Sequence, residues 1–285
     1  MSSKLIPSDP SKVMVMRKIT PDILICSVPF LRFGRIQFGG RGTIGKHAYE
    51  TRLGNETLTN TVRMQNGSLA IFSPVALTNE VRSAVRELGE VKYIVAPDQE
   101  HHIFLDEWHK EYPNTKLIGP DSLKPKREKS GQPLPWSVLF SANEPTTIDA
   151  DFDREFDYEY VHSHQNKELV FNHKPSKTLI EADLLFNLPA NEQMSKTGMS
   201  PTSGILTKLM MPIGRIQGDA IWQRRFLWYG ASSADRTAFN KSISKIDSWD
   251  FDRIVPCHGD VMETGGKSIF RNVMAWHLEA QKKSN

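Results

Sequence analysis

At 285 residues the chain can build one large domain or two small ones with ample core, and its 36 Lys plus Arg against 33 Asp plus Glu leave a formal charge of only +3 with no basic block. That balance argues against a nucleic-acid partner. No apolar stretch reaches the length of a membrane span, the Ser-, Pro- and Lys-containing start does not resemble a secretory signal, and two cysteines make no disulfide framework, so a cytoplasmic protein without a membrane partner is expected.

Residues 1–20 read as an N-terminal extension, followed by one domain over 21–285 with insertions near 121–150 and 188–245. Ile23 to Phe30 is an apolar, β-branched run ending near Pro29 and predicts a strand. Gly39, Gly40 and Gly42 follow, with no Lys-Ser/Thr to make a phosphate loop, so tight turns are expected there, with Thr43 leading into further loop. Gln65-Asn66-Gly67-Ser68 between Thr61–Met64 and Leu69–Ser73 is a hairpin signal. Thr78 predicts the cap of a helix with Val81, Ala84, Val85 and Leu88 on one face and Gly89 at its end. A strand over 91–96, a helix containing Trp108 and a strand over 116–119 continue a β-α-β-α-β order, which implies layered α/β architecture.

Residues 121–150 are Pro-, Lys- and Ser-rich and read as a surface insertion. Strands are expected over 156–161, 168–171 and 178–182. The segment 188–220 lacks a period and suggests a lid or an interaction segment. Ile221 to Tyr229 places Trp222, Phe226 and Tyr229 on one helical face, read as buried, and helices over 235–246 and 268–280 enclose a last strand at 253–256.

The chemistry-bearing residues fall just after strands. Asp98, Glu100, His101 and His102 follow the strand closed by Pro97, where α/β proteins place their sites. That loop alone reads more readily as a helix cap than as ligands. Three further segments shift the balance toward a metal. His162 and His164 follow one strand at period-2 spacing, so both can point the same way. Asp183 ends the apolar run K-T-L-I-E-A-D-L-L-F, where a buried carboxylate needs a compensating charge. His258 ends the strand-turn R-I-V-P-C-H-G-D. His and carboxylate donors without Cys suit zinc first, with iron or manganese as alternatives.

In this order the motifs resemble the metallo-β-lactamase superfamily. The stretches R-G-T, S-P-V-A-L-T, A-P-D-Q-E-H-H-I-F-L, K-E-L-V-F and S-K-T-L-I-E-A-D-L-L-F-N-L-P are similar to an uncharacterised, DUF4336-like branch found in fungi, plants and bacteria. The resemblance covers about residues 20 to 280. It implies an αββα four-layer sandwich with metal at one edge, held by His101, His102, His164, Asp183 and His258. The superfamily's first motif, H-x-H-x-D-H, is missing. Setting its final D-H on His101-His102 leaves Pro97 and Gln99 at two ligand positions, whereas a shift of one puts Asp98, Glu100 and His101 on the last three.

The function implied is a metal-dependent hydrolase of a small-molecule ester, lactone, amide, thioester or phosphoester, with Glu100 or Asp98 orienting or deprotonating water. A mononuclear iron oxygenase and a catalytically decayed binding protein are the alternatives, and a homo-oligomer is compatible with all three.

Overall fold

The computed structural model describes residues 9–45, 64 and 67–284. A short helix α1 (Pro10–Val13) precedes β1 (Val15–Thr20) and β2 (Ile23–Val28), then the two-stranded hairpin β3 (Leu31–Arg32) and β4 (Ile36–Gln37), β5 (Gly40–Gly45) and β6 (Ser68–Phe72). Next come α2 (Asn79–Leu88), β7 (Glu90–Val95), α3 (Leu105–Glu111), β8 (Lys116–Pro120), α4 (Leu123–Lys129), β9 (Val138–Phe140) and α5 (Ala150–Glu155). The second half contributes β10 (Phe156–Val161), β11 (Glu168–His173), β12 (Thr178–Ile180), α6 (Asn191–Met194), α7 (Ile205–Met210), α8 (Ile221–Phe226), α9 (Arg236–Ser248), β13 (Arg253–Val255), α10 (Gly266–Val273) and α11 (Ala275–Ser284).

Two sheets stack, one of seven strands in the order β1-β2-β5-β6-β7-β8-β9 and one of four in the order β10-β11-β12-β13. Period-2 alternation explains why the central strands are apolar throughout. In β2, Leu24 and Cys26 face the layer of α2 and α3, whereas Ile23 and Ile25 face the second sheet. In β6, Leu69 and Ile71 take the helical side and Ala70 and Phe72 the inner side. Phe156, Leu169, Phe171, Ile180 and Val255 close the space between the sheets. The outer face of the smaller sheet, with Val170, Leu179 and Ile254, packs on Phe239, Ile243, Ile246 and Phe270. This is the expected αββα sandwich.

Thr78 caps α2 by accepting from the Val81 N–H, and Val81, Ala84, Val85 and Leu88 are its buried face. Several local expectations fail. Thr43 sits within β5, which pairs with both β2 and β6, because its three glycines permit the close approach of Gly42 to Ser73 and Val75 rather than a loop. The main sheet starts at Val15, inside the segment read as an extension, and residues 121–150 supply α4 and the edge strand β9. Trp222 and Tyr229 are exposed; the inward side of their helix carries Leu227 and Gln223, whose amide bonds the backbone of Phe186 and Arg215. The C-terminal helix is two helices that meet at Met274. The first strand of the hairpin around Asn66-Gly67 lies outside the described residues.

Candidate metal centre

Four chain segments converge where strands end. His101 follows β7, Asp183 follows β12, His258 follows β13, and Gly39 enters between β4 and β5. One donor atom each from His101, Asp183 and His258 lies within 4.8 Å of the others. His101 Nε2 is 3.2 Å from His258 Nε2, and His258 Nε2 is 3.2 Å from Asp183 Oδ1. Donors about 2.0–2.1 Å from a tetrahedral ion stand about 3.3–3.4 Å apart, so this spacing fits one face of such a site.

The other nitrogen of each imidazole settles which atom is free to coordinate. His258 Nδ1 lies 2.7 Å from the Gly39 carbonyl, which only accepts, so Nδ1 carries the hydrogen and Nε2 is a lone pair when the ring is neutral. His101 Nδ1 donates to Asp98, 2.9 Å from both carboxylate oxygens. Two neutral rings therefore aim lone pairs at each other across 3.2 Å, which is repulsive unless a cation or a proton lies between them. Imidazoles held in this way by a carboxylate and a carbonyl are characteristic of metal ligands. Without an ion the electrostatics supply the proton. Burial acts to lower the His101 pKa, but Asp98, then Asp183 and Glu168, outweigh it and raise it to about 9. Asp183 is pushed the other way: burial would raise it, yet the hydrogen bond from His258 and the charges of His101 and His258 hold it far below the ordinary carboxylate range.

Asp98 is fully buried and also accepts the N–H groups of Glu100 at 2.7 Å and His101 at 2.8 Å. This turn directs His101 inward and His102 outward. His102 Nδ1 instead accepts from Arg127 at 3.0 Å, and burial followed by the charges of Lys126 and Arg127 lowers its pKa to about 4. Glu100 lies at the rim, 3.0 Å from Lys126 Nζ. His164 is buried beside Asp183 without joining the three donors; its Nδ1 accepts the Asn166 N–H at 3.3 Å and burial keeps the ring neutral. His162 lies against Tyr160, with ring centroids 6.1 Å apart. Asn166 also donates to Asp183 Oδ2 at 2.5 Å, and Oδ1 is the oxygen turned toward His258. The donor set therefore suits one divalent cation.

Behind the donors, Glu168 accepts the N–H groups of Ala182 and Asp183, and Glu181 those of Leu184 and Leu185, fixing the turn that carries Asp183. Burial pushes both carboxyls well up, and for Glu168 the neighbouring Glu181 adds to the rise. The turn carrying His258 is pinned by residues that sequence patterning did not single out. Buried Arg41 donates to the carbonyls of Pro256 and Gly259, both at 2.7 Å, and to Ser27 Oγ at 3.0 Å, with Glu192 as its counter-ion at 3.3 Å. Gln193 accepts the Gly259 N–H and donates to the Cys257 carbonyl. Gly259 has φ +93°, and a Cβ there would meet the Asn187 carbonyl oxygen at 2.1 Å. A lone Arg in a Gly-rich strand and a Gly after the His were the available signals.

Two cavities meet at the centre. The larger, about 410 Å³, is lined by His101 and His258 together with Val28, Phe30, Val75 and Phe104. The smaller, about 210 Å³, is lined by Asp183 with Phe38, Phe186, Met210 and Phe226. Arg32 and Phe33 of the β3–β4 hairpin border both.

A family model described as "Domain of unknown function (DUF4336)" matches residues 57–203, just over half of the chain. No curated protein sequence matches it. Among solved structures, a metallo-β-lactamase from Pontibacter korlensis is similar at TM-score 0.55 and 11% identity, over 93% of this chain and 98% of that one. A metallo-β-lactamase from Hirschia baltica gives TM-score 0.53 and 11% identity over 93% and 98%. A flavo di-iron protein variant from Thermotoga maritima gives TM-score 0.57 and 11% identity over 93% of this chain and 62% of that one. The fold is that of the metallo-β-lactamases.

Proposed function

The chain belongs to the DUF4336 family, and on that footing we propose that it is a metal-dependent hydrolase of a small, largely apolar ester, lactone, amide, thioester or phosphoester, with one divalent ion, zinc first, held by His101, Asp183 and His258. The observation that carries this reading is the pair of imidazole lone pairs turned toward one another and toward Asp183, each ring fixed from behind by Asp98 or by the Gly39 carbonyl. When bound, the ion supplies Lewis acidity and lowers the pKa of water. The chain's own groups do the rest. Asp98 orients His101 and supports its basicity, and Asn166 fixes the Asp183 carboxylate. Glu100 lines the larger cavity and is the carboxylate we assign to proton transfer. The apolar walls of the two cavities select a substrate with little charge and shed water from around the bond to be cleaved. Cys26 and Cys257, unpaired and buried, suit a reducing, cytoplasmic setting.

The donor set of two His and one carboxylate also supports a second reading, a mononuclear iron oxygenase, since that combination suits non-haem iron.

The test is elemental analysis of protein purified without a metal-affinity tag, beside Asp183→Ala and His258→Ala. Near-stoichiometric metal in the parent chain, lost in both variants, supports the centre. Zinc with turnover of p-nitrophenyl esters then selects the hydrolase, and iron with oxygen consumption selects the oxygenase. No metal in the parent chain after reconstitution with zinc, iron or manganese would refute both.

A further inference from the structure

Seven large apolar side chains are exposed among the described residues, and five of them, Phe33, Met199, Ile205, Leu206 and Leu209, fall on two segments that pack together. The Gln37 N–H donates to Thr207 Oγ1 at 3.1 Å, and the Gln37 side chain bonds Ser203 Oγ, which seats α7 against the β3–β4 hairpin. Thr207 is the buried residue of α7, so Ile205, Leu206, Lys208 and Leu209 turn outward. Phe33, at the hairpin tip, is 78% exposed, Ile205 79% and Leu209 67%. A patch of this kind on a folded chain marks an interaction surface.

Charge identifies the partner. Neither 23–45 nor 193–218 contains an Asp or Glu, although the whole chain is nearly balanced. Of the cations in these segments, Arg41 is buried under the centre and Lys196 bonds the Met14 carbonyl, which leaves Arg32, Arg35, Lys208 and Arg215 around the apolar patch. The acids that border these segments in sequence are Asp22, Glu192 and Asp219; Glu192 is held by Arg17 and Arg41, and exposed Asp219 accepts the Ile221 N–H at the start of α8, so the four cations outnumber the acids beside them.

We propose that this face docks on an anionic lipid bilayer. Phe33, Ile205, Leu206 and Leu209 enter the boundary between headgroups and acyl chains, and Arg32, Arg35, Lys208 and Arg215 meet the lipid phosphates. No helix among the described residues is long and apolar enough to cross a membrane, so the association is with the surface. Phe33 and Arg32 border both cavities, so docking sets the mouth of the metal centre against the lipid, and an apolar substrate reaches the site from the bilayer. Docking uses none of the metal donors and stands independently of the hydrolase reading.

Sedimentation with vesicles of phosphatidylglycerol and phosphatidylcholine in equal parts, against vesicles of phosphatidylcholine alone, tests the proposal on the full chain, with Asp183→Asn run in parallel. The expected result is binding to the anionic vesicles that weakens with salt, survives Asp183→Asn, falls about fivefold in Lys208→Ala and falls about tenfold in Leu209→Ser. Both substituted residues are exposed, and circular dichroism confirms that the variants are folded. No binding to the anionic vesicles, equal binding to the neutral ones, or a single-stranded RNA that is retained more tightly and lost in the same variants would each overturn it.

Discussion

Replacing Asp98 by Asn separates the charge of this residue from its shape. In the parent chain His101 has a pKa of about 9 without an ion, because Asp98 and the acids beyond it overcome the effect of burial. An incoming ion must displace that proton. At pH 7 the competition weakens apparent affinity about 100-fold, and each unit of rising pH recovers about tenfold until the pKa is reached. The Asp98→Asn substitution removes the charge, His101 returns toward its ordinary value near 6.5, and the proton competition at pH 7 nearly disappears. Loss of the carboxylate behind a ligating imidazole also lowers intrinsic metal affinity about 10- to 100-fold. The two effects oppose each other at neutral pH and separate above it. Zinc should therefore bind the variant as well as the parent at pH 7, or up to about tenfold tighter, and at pH 8.5 roughly two- to 25-fold more weakly. Competition against a chromophoric chelator across pH 7 to 8.5 measures both slopes. Parallel pH profiles for the two proteins would refute the assignment of His101 as a ligand held by Asp98.

His102→Gln should leave metal content unchanged, because that ring faces Arg127; loss of metal on elemental analysis would place it in the centre after all. Arg41→Ala strands the Pro256 and Gly259 carbonyls, while Glu192 keeps Arg17 and Ser27, so urea unfolding should report a loss of about 2–6 kcal/mol for two unsatisfied buried acceptors, together with reduced metal content. Lysine at that position should not restore stability, since an ammonium cannot span the same acceptors. His277 is buried beside Phe239 and Trp228, and burial, then Arg236, lowers its pKa to about 3. The unfolded chain binds that proton below about pH 6.5 and the folded chain does not, so stability falls as pH drops from 6.5 toward 3, by at most roughly 1.4 kcal/mol per unit. His277→Gln should flatten that part of the urea midpoint against pH; an unchanged profile would show that other groups set the acid sensitivity.

Much of the layering was legible because burial on both faces imposes continuous apolar strands, as in β2 and β6, and because α2 carries its cap, stripe and stop in sequence. What periodicity missed has physical causes. Glycines in β5 looked like turns because the pattern records side chains and not the backbone approach that lack of a side chain permits. Trp222 and Tyr229 both turn outward because the inward position next to Trp222 is taken by Gln223, whose amide bonds the Phe186 backbone, and an apolar count does not register a buried polar anchor. Nothing near Arg41 in sequence names the turn that it pins, since the carbonyls of Pro256 and Gly259 are more than 200 positions away.

The candidate centre shows the same division between composition and register. That His, Asp and His should gather after strand ends followed from their residue types and from topology. Which of two adjacent histidines faces inward was left open by the two alignments of the missing motif, yet the deciding residue stood three positions earlier. Asp98 folds its carboxylate back onto the N–H groups of Glu100 and His101, an Asx-type turn, and then receives the His101 ring on the same oxygens. A carboxylate so engaged leaves His101 one orientation, sends His102 toward Arg127, and is unavailable to serve as a base in the cavity. The carboxylate in this loop that lines the larger cavity is Glu100, and the proposed function accordingly gives Asp98 the positioning role and assigns proton transfer to Glu100.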